Sequence, residues 1–319
     1  MKKDFISIDD YSPGELKATL LLAARLKEIR RSESDIKPLA GRSMAMLFEK
    51  PSLRTRVTFE LAMIELGGHS LMAQPAGVRL GERESVPDLA RNLERWVDVV
   101  TARVFKNRLI RELAANTGVP VINALCDLEH PCQALADMQT IIELAGARSL
   151  DRVKLAYMGD GNNVCHSLML ISSVMGIGIT VGTPKGYEPQ EGFVRRSQEH
   201  CRASGGTIEL TNDPREAVAG ADFIYTDVWA SMGQEDEHSE RLEVFRPFQV
   251  NSELVSGAAD DFCILHCLPA HRGEEITDEV LDSPHCRVFD QAENRLHAQK
   301  AVILTLLAPE AAQELLERG

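Results

Sequence analysis

The chain has 319 residues, 44% hydrophobic and 26% charged, a balance that suits a folded protein of two domains with separate cores. Its formal net charge of -13 argues against a general nucleic-acid or anionic-membrane surface and leaves room only for a local basic pocket. Asp4, Asp9, Asp10 and Glu15 interrupt the N-terminal stretch before any signal-peptide core forms, and no apolar run could span a bilayer.

In chain order, the first half alternates helical-period segments with short apolar runs. Helices are expected over 13–30, 53–66, 86–96 and 109–117, and strands over 44–48, 70–73, 99–104 and 120–124. The stretch 131–145 reads as a helix, with Leu135, Met138, Ile141, Ile142 and Ala145 at helical spacing, Pro131 at its start and Gly146 at its stop. Further strands are expected over 153–158, 177–181, 207–210, 223–226, 262–266 and 287–289, and a long amphipathic helix over 293–316. Such alternation signals parallel α/β architecture. The polar segment 147–151 sets the expected boundary, giving domains over 1–146 and 147–292, with 293–319 packing back on the first.

Seven scattered cysteines form no CxxC pair, so reduced thiols in a cytoplasm are expected. Cys263, His266 and Cys267 lack a second ligand pair, and no metal site is expected there.

In parallel α/β sheets, ligands bind beyond the carboxyl ends of the strands. The first-half loops there carry Glu49–Arg56, then Arg103 with Lys106, then His130-Pro131-Cys132-Gln133. Nearly every polar group in them donates hydrogen bonds or carries positive charge, which calls for an anion. Ser52 suits the N-cap of the helix carrying Val57, Leu61 and Ile64, whose first-turn amides would face the same point as Ser52 and Thr55. Arg54 adds a planar fork for phosphate or carboxylate oxygens. A plain capped helix with surface arginines explains two arginines and two hydroxyls in so short a run less well.

The second-half loops present Gly159–Asn163, Asp227–Gly233 and His266–Pro269. Amides and a carboxylate suit a zwitterion, with Asp227 pairing an ammonium and Asn163 holding a carboxylate. Singly, Asp227 reads as a turn residue, Asn162-Asn163 as a loop pair and Cys267 as a small buried hydrophobe. Their joint position on the strand ends of one sheet favours a site. Gly159-Asp160-Gly161 lacks the third glycine of a dinucleotide fingerprint, since Val164 stands in its place.

Ser52-Leu53-Arg54-Thr55-Arg56 resembles the SxRTR carbamoyl phosphate signature of the aspartate/ornithine carbamoyltransferases. His130-Pro131-Cys132-Gln133 resembles the HPxQ element of that family. Asp227–Gly233 resembles the D-x-W-x-S-M-G loop of its ornithine branch. His266-Cys267-Leu268-Pro269 resembles the HCLP motif, where the aspartate branch carries HPLP and then arginine. Asp290–Arg295 is similar to the segment opening the family's last helix. These motifs keep the family order and cover roughly residues 44–306.

The resemblance implies two Rossmann-like α/β domains, each a parallel sheet flanked by helices, bridged by two interdomain helices. It implies carbamoyl phosphate on the first domain and L-ornithine on the second, no metal or organic cofactor, and a homotrimer or multiple of trimers with sites at subunit interfaces. Ser52, the Leu53 amide, Arg54 and Thr55 would hold phosphate. Thr55, Arg103 and His130 would polarise the carbonyl, Gln133 would read the carbamoyl amide, and Arg295 would steady the carbonyl side. Asn163, Asp227, Ser231 and Met232 would fix the α-amino and α-carboxylate groups. Cys267 and Leu268 would also meet carbamoyl phosphate, and Cys267 would orient the δ-amine, with His266 and Asp137 supporting its thiol as a relay. The family loop that reaches a neighbour's site corresponds to 74–85 here. Arg79, standing where glutamine or histidine is common, would add an anion contact to carbamoyl phosphate, and Leu53 stands where threonine is common. Rival readings are a sister enzyme using putrescine, an acetylated ornithine or aspartate, a non-catalytic binding protein, and a dinucleotide-dependent oxidoreductase, the last disfavoured by the broken glycine pattern.

Overall fold

The structure, a computed structural model, describes residues 4–32, 35–73, 79–230 and 238–317. The chain divides into two compact units, Met1–Gln139 with Glu293–Gly319, and Thr140–Ala292.

The first unit runs α1 (Pro13–Arg31), β1 (Ser43–Phe48), α2 (Leu53–Glu65), β2 (His69–Met72), α3 (Val86–Leu93), β3 (Val99–Arg103), α4 (Asn107–Ala115), β4 (Val121–Leu125) and α5 (Pro131–Ala145). Its strands pair in parallel in the order β2-β1-β3-β4. Strand order therefore reverses between β1 and β3, the place where an open parallel sheet leaves a crevice at its carboxyl edge. Every residue of β1 and β4 is buried, as expected of strands covered on both faces. Phe48 pairs with Arg103, so the loops after β1 and β3 leave the sheet side by side.

The second unit contains β5 (Lys154–Met158), α6 (Asn163–Met175), β6 (Gly178–Gly182), α7 (Glu191–Ser204), β7 (Ile208–Thr211), α8 (Pro214–Val218), β8 (Phe223–Thr226), α9 (His238–Phe245), α10 (Ser252–Val255), β9 (Cys263–His266) and α11 (Asp278–Leu281). Its five parallel strands take the order β7-β6-β5-β8-β9, with the reversal between β5 and β8. Met158 pairs with Thr226 and Thr226 with His266, so three loops depart at one level. The chain passes between the units within α5 and again within α12 (Val288–Leu307), and α13 (Pro309–Glu317) ends the described chain.

Two expectations need correction. The strand over 287–289 reduces to a single bridge between Cys286 and Ile264, and α12 begins at Val288. The helix expected over 293–316 is two helices. Pro309 has no N–H to continue α12 and disfavours helical geometry at Ala308, so the chain restarts as α13. Among the described residues, no helix is long and apolar enough to cross a membrane.

The buried stretch of α12 is strongly polar because it meets charges on α1 and α2. Lys27 Nζ donates to Asn294 Oδ1 at 2.7 Å and lies 3.5 Å from Glu293, while Lys300 Nζ donates to Glu65 at 2.8 Å. Glu65 also accepts from Arg30 at 2.9 Å. His297 sits fully buried in this cluster, 3.7 Å from Glu293, and among the described residues neither ring nitrogen has a hydrogen-bond partner. Burial, then the cations of Lys300, Lys27 and Arg30, push its imidazole down to about 3, against a weaker opposing pull from Glu65. A histidine neutral in the folded chain but free to protonate when unfolded favours unfolding in acid. Its contribution is intact above the ordinary value of about 6.5 and is lost as pH falls from there towards the folded value. The expected loss from His297 is about 2 kcal/mol at pH 5. Urea midpoints at pH 7.5 and pH 5 check this: His297→Leu should shrink the acid loss, and an equal loss in variant and parent refutes it.

Candidate active site

In the first unit the polar groups converge on the start of α2. Ser52 occupies its N-cap position but makes no capping bond with its side chain; instead its hydroxyl donates to Thr55 Oγ1 at 3.0 Å. The first-turn amides are thus left for a ligand, and the helix dipole favours an anion there. Thr55 is fully buried and also accepts from Arg295 Nη2 at 2.9 Å. With both acceptor positions filled, its own proton is left to donate. Arg295 Nη1 donates to Gln133 Oε1 at 2.9 Å, and Gln133 Nε2 donates to Asp137 Oδ1 at 2.7 Å.

Arg54 is half-buried beside this group and its side chain meets no acid among the described residues, whereas Arg56 is spent on Glu60 at 3.0 Å. Leu53 is 76% exposed and offers only its backbone amide. The β3–β4 ladder slips between Ala102 and Arg103, an irregularity that re-aims a side chain at the end of a strand. His130 is buried ahead of α5. Burial first, then Arg295 and Arg103, hold its imidazole well below the usual range, so it stays neutral.

Glu49, which the sequence reading passed over, fastens this edge together. Its carboxylate accepts from the Leu80 N–H at 2.8 Å and the Phe105 N–H at 2.7 Å, while its own N–H donates to the Arg103 carbonyl at 2.9 Å. Arg79 is exposed, its guanidinium 5.2 Å from the Phe105 ring centroid. Residues 74–78 of that loop lie outside the described residues.

In the second unit the site grows from strand register. Asp227 and Cys267 each follow a member of the Thr226–His266 pair, and the Cys267 thiol donates to Asp227 Oδ1 at 2.9 Å. Asn162 Nδ2 donates to Asp227 Oδ2 at 2.9 Å, while Asn162 Oδ1 caps α6 by accepting from the Val164 and Cys165 N–H groups. Asn163 is the first residue of α6. Asn162, taken in the sequence only as part of a loop pair, therefore holds Asp227 and the helix start together. Gly161 is required by packing. A Cβ there would sit 2.2 Å from the Pro189 nitrogen, so this glycine serves a close backbone approach and no dinucleotide.

His266, expected to support the thiol, lies close to it but has both ring nitrogens bonded elsewhere, and Asp137 Oδ1 accepts from Gln133. His266 Nδ1 accepts from the Leu268 N–H at 2.8 Å, which places the ring proton on Nε2, where it donates to Glu275 at 2.9 Å. Glu275 also accepts from the His271 N–H at 2.6 Å and so fixes both ends of the loop. Leu268 has φ 59, a left-handed conformation costly outside glycine, and these contacts hold it there. Donor atoms of Asp227, His266 and Cys267 lie within 4.8 Å of one another, but both His266 nitrogens are engaged, which leaves a cation no imidazole.

Arg241 was also missed. It donates to Asp160 Oδ2 at 3.0 Å and to the Trp229 carbonyl at 2.8 Å, which steadies the chain just after Asp227. Ser231 and Met232 lie outside the described residues.

Fold and geometry together define a two-unit α/β protein with a donor-rich helix start at one parallel sheet and a carboxylate–thiol contact at the other. The profile described as the carbamoyl-P binding domain of aspartate/ornithine carbamoyltransferase matches residues 3–143, and that of its Asp/Orn binding domain matches 151–306. The chain is 51% identical over 305 residues to an ornithine carbamoyltransferase of Anoxybacillus flavithermus, covering 96% of each. It is 49% identical over 305 residues to the anabolic ornithine carbamoyltransferase of Pyrococcus furiosus, again covering 96% of each. The solved structure of the Pyrococcus furiosus ornithine carbamoyltransferase superposes with a TM-score of 0.92 over 95% of this chain and 96% of that one, at 49% identity. That of Thermus thermophilus gives 0.85 at 45% identity, over 96% of this chain and 99% of that one. The chain belongs to the aspartate/ornithine carbamoyltransferase family.

Proposed function

We infer that this chain transfers the carbamoyl group of carbamoyl phosphate to the side-chain amine of L-ornithine, giving L-citrulline and phosphate. The Asp227–Cys267 contact on aligned strand ends carries the choice of amine. A carboxylate beside a thiol suits the ammonium of a free amino acid, and Ala270 follows the HCLP element where the aspartate branch carries arginine.

Phosphate is held by the α2 amides, Ser52 and Arg54. Thr55, neutral His130 and Arg103 donate to the carbonyl oxygen as it gains charge, Arg295 fixes Thr55 and Gln133, and Gln133 meets the carbamoyl amide. Asp227 and Asn163, with Ser231 and Met232, take the α-amino and α-carboxylate groups, and Cys267 with Leu268 orients the δ-amine. That amine must lose a proton to attack, against a free value near ~10.4. Its nitrogen then bonds to the carbonyl carbon as the bond to the phosphate oxygen breaks, and the second proton that the nitrogen sheds leaves with the departing phosphate. No residue needs to bond to substrate, so proximity and electrostatics supply the rate. Cys267→Ser is expected to disturb ornithine kinetics more than carbamoyl phosphate affinity, and steady-state kinetics with unaltered ornithine parameters would remove that role.

The reading includes a homotrimer or multiple of trimers working among reduced thiols in the cytoplasm. Supporting it, Leu53, Val57, Leu61 and Ile64 form an exposed apolar stripe on α2, next to exposed Leu71 on the edge strand β2. The deciding experiment is citrulline formation from carbamoyl phosphate and L-ornithine, with putrescine, N-acetylornithine and aspartate in parallel. Preference for ornithine is expected; preference for another amine overturns the assignment of Asp227 and Cys267, and no turnover with any overturns the chemistry.

A further inference from the structure

A glutamine amide is nearly symmetric in shape and opposite in chemistry at its two ends, one a double donor and the other an acceptor. Whatever fixes its orientation decides which ligand atoms it can meet. Gln133 is almost fully buried and is fixed from two sides. Arg295, which can only donate, reaches Oε1 at 2.9 Å. Asp137, one helical turn further along α5 and fully buried, accepts from Nε2 at 2.7 Å. Both contacts impose the same polarity. The acceptor end therefore lies on the side of Arg295, whose other nitrogen touches Thr55 in the anion cluster.

We propose that Asp137 is a positioning residue that, through Gln133, makes this site select a carbamoyl group over an acetyl group. The proposal rests on the carbamoyl phosphate reading above. Carbamoyl and acetyl phosphates are nearly equal in size and differ in an NH2 against a methyl, so packing separates them poorly. An oriented Oε1 separates them, because the carbamoyl N–H donates to its remaining lone pair and a methyl cannot. A buried hydrogen bond gained or lost in this way is worth about a tenfold change in affinity. Without Asp137, Nε2 loses its acceptor and the amide is held by Arg295 alone. One bond to Oε1 still favours that polarity but no longer fixes the plane of the amide, so Oε1 is less well aimed at the ligand and the preference narrows.

Phosphonoacetamide and acetonylphosphonate are stable mimics of the two acyl phosphates, and calorimetry on the full-length protein gives the ratio of their dissociation constants directly. The parent chain should bind phosphonoacetamide about tenfold more tightly. Asp137→Leu, isosteric but without an acceptor, should bring the ratio to within about threefold of unity. Asp137→Asn keeps the shape yet can turn either end towards Gln133, and should narrow the ratio about threefold, which decides the matter if the leucine variant does not fold. A residue important only for stability would change melting temperature and leave the ratio alone. An unchanged ratio in a folded variant, or a parent that does not discriminate, overturns the proposal. A parent that neither binds phosphonoacetamide nor forms citrulline instead overturns the functional reading beneath it.

Discussion

Replacing Arg54 by alanine is expected to lower kcat/KM for carbamoyl phosphate by about a thousandfold, with the melting temperature nearly unchanged. Two separate observations set these two halves. The Arg54 guanidinium meets no acidic partner among the described residues, so its removal breaks no ion pair and exposes no buried charge. It stands beside a helix start whose first-turn amides the Ser52 hydroxyl leaves uncapped, so its charge adds to that of the dipole at one point. As the carbamoyl carbon is attacked, the bond to phosphate stretches and negative charge gathers on the leaving oxygens. A fork-shaped cation placed there helps the transition state more than the bound substrate. Arg54→Lys should recover part of the loss, since lysine restores the charge without the planar fork. Arg56→Ala is the control, because Arg56 is exposed and paired with Glu60, and it should cost little. An Arg54→Ala enzyme within tenfold of the parent would show that phosphate is held elsewhere.

What the sequence disclosed and what it hid follow from the range of the interactions involved. Strand and helix periodicity is local, and it placed Ser52 to Arg56 after β1, Arg103 at the end of β3, His130 before α5, and Asp227 and Cys267 after β8 and β9. Register is not local. That Asp227 and Cys267 lie level, close enough for the thiol to donate to the carboxylate, follows from the Thr226–His266 pairing, which no stretch of either strand encodes alone. The holding roles of Glu49, Asn162, Arg241 and Glu275 are not legible in the sequence because each holds backbone or another side chain, and their partners are mostly remote in sequence. An isolated Glu or Asn in a loop gives no periodic signal. Support of the Cys267 thiol by His266 is an expectation that contact geometry limits, because both ring nitrogens of His266 are bonded to Glu275 and the Leu268 amide. The C-terminal misreading had a visible cause, since Pro309 was present in the sequence and the apolar periodicity continued through it.

Replacing Asp227 by asparagine is expected to raise the KM for ornithine about a hundredfold and to lower kcat as well, while the KM for carbamoyl phosphate stays within about threefold. Asp227 accepts the Asn162 amide at one oxygen and the Cys267 thiol at the other, each at 2.9 Å, and a carboxylate has further lone pairs for a substrate ammonium. Asparagine keeps the outline but has one oxygen, so its NH2 end must confront either the Asn162 NH2 or the Cys267 thiol. The substitution therefore removes the charge that pairs with the ammonium and unsettles the group that would orient the attacking amine. Those two losses predict effects on KM and kcat together, where loss of the ammonium pair alone would act chiefly on KM. Cys267→Ser separates them, because serine can still donate to Asp227 while the carboxylate and its charge remain. If Asp227→Asn leaves the ornithine KM unchanged and impairs carbamoyl phosphate instead, the amine is recognised elsewhere and the second-unit cluster loses its assigned substrate.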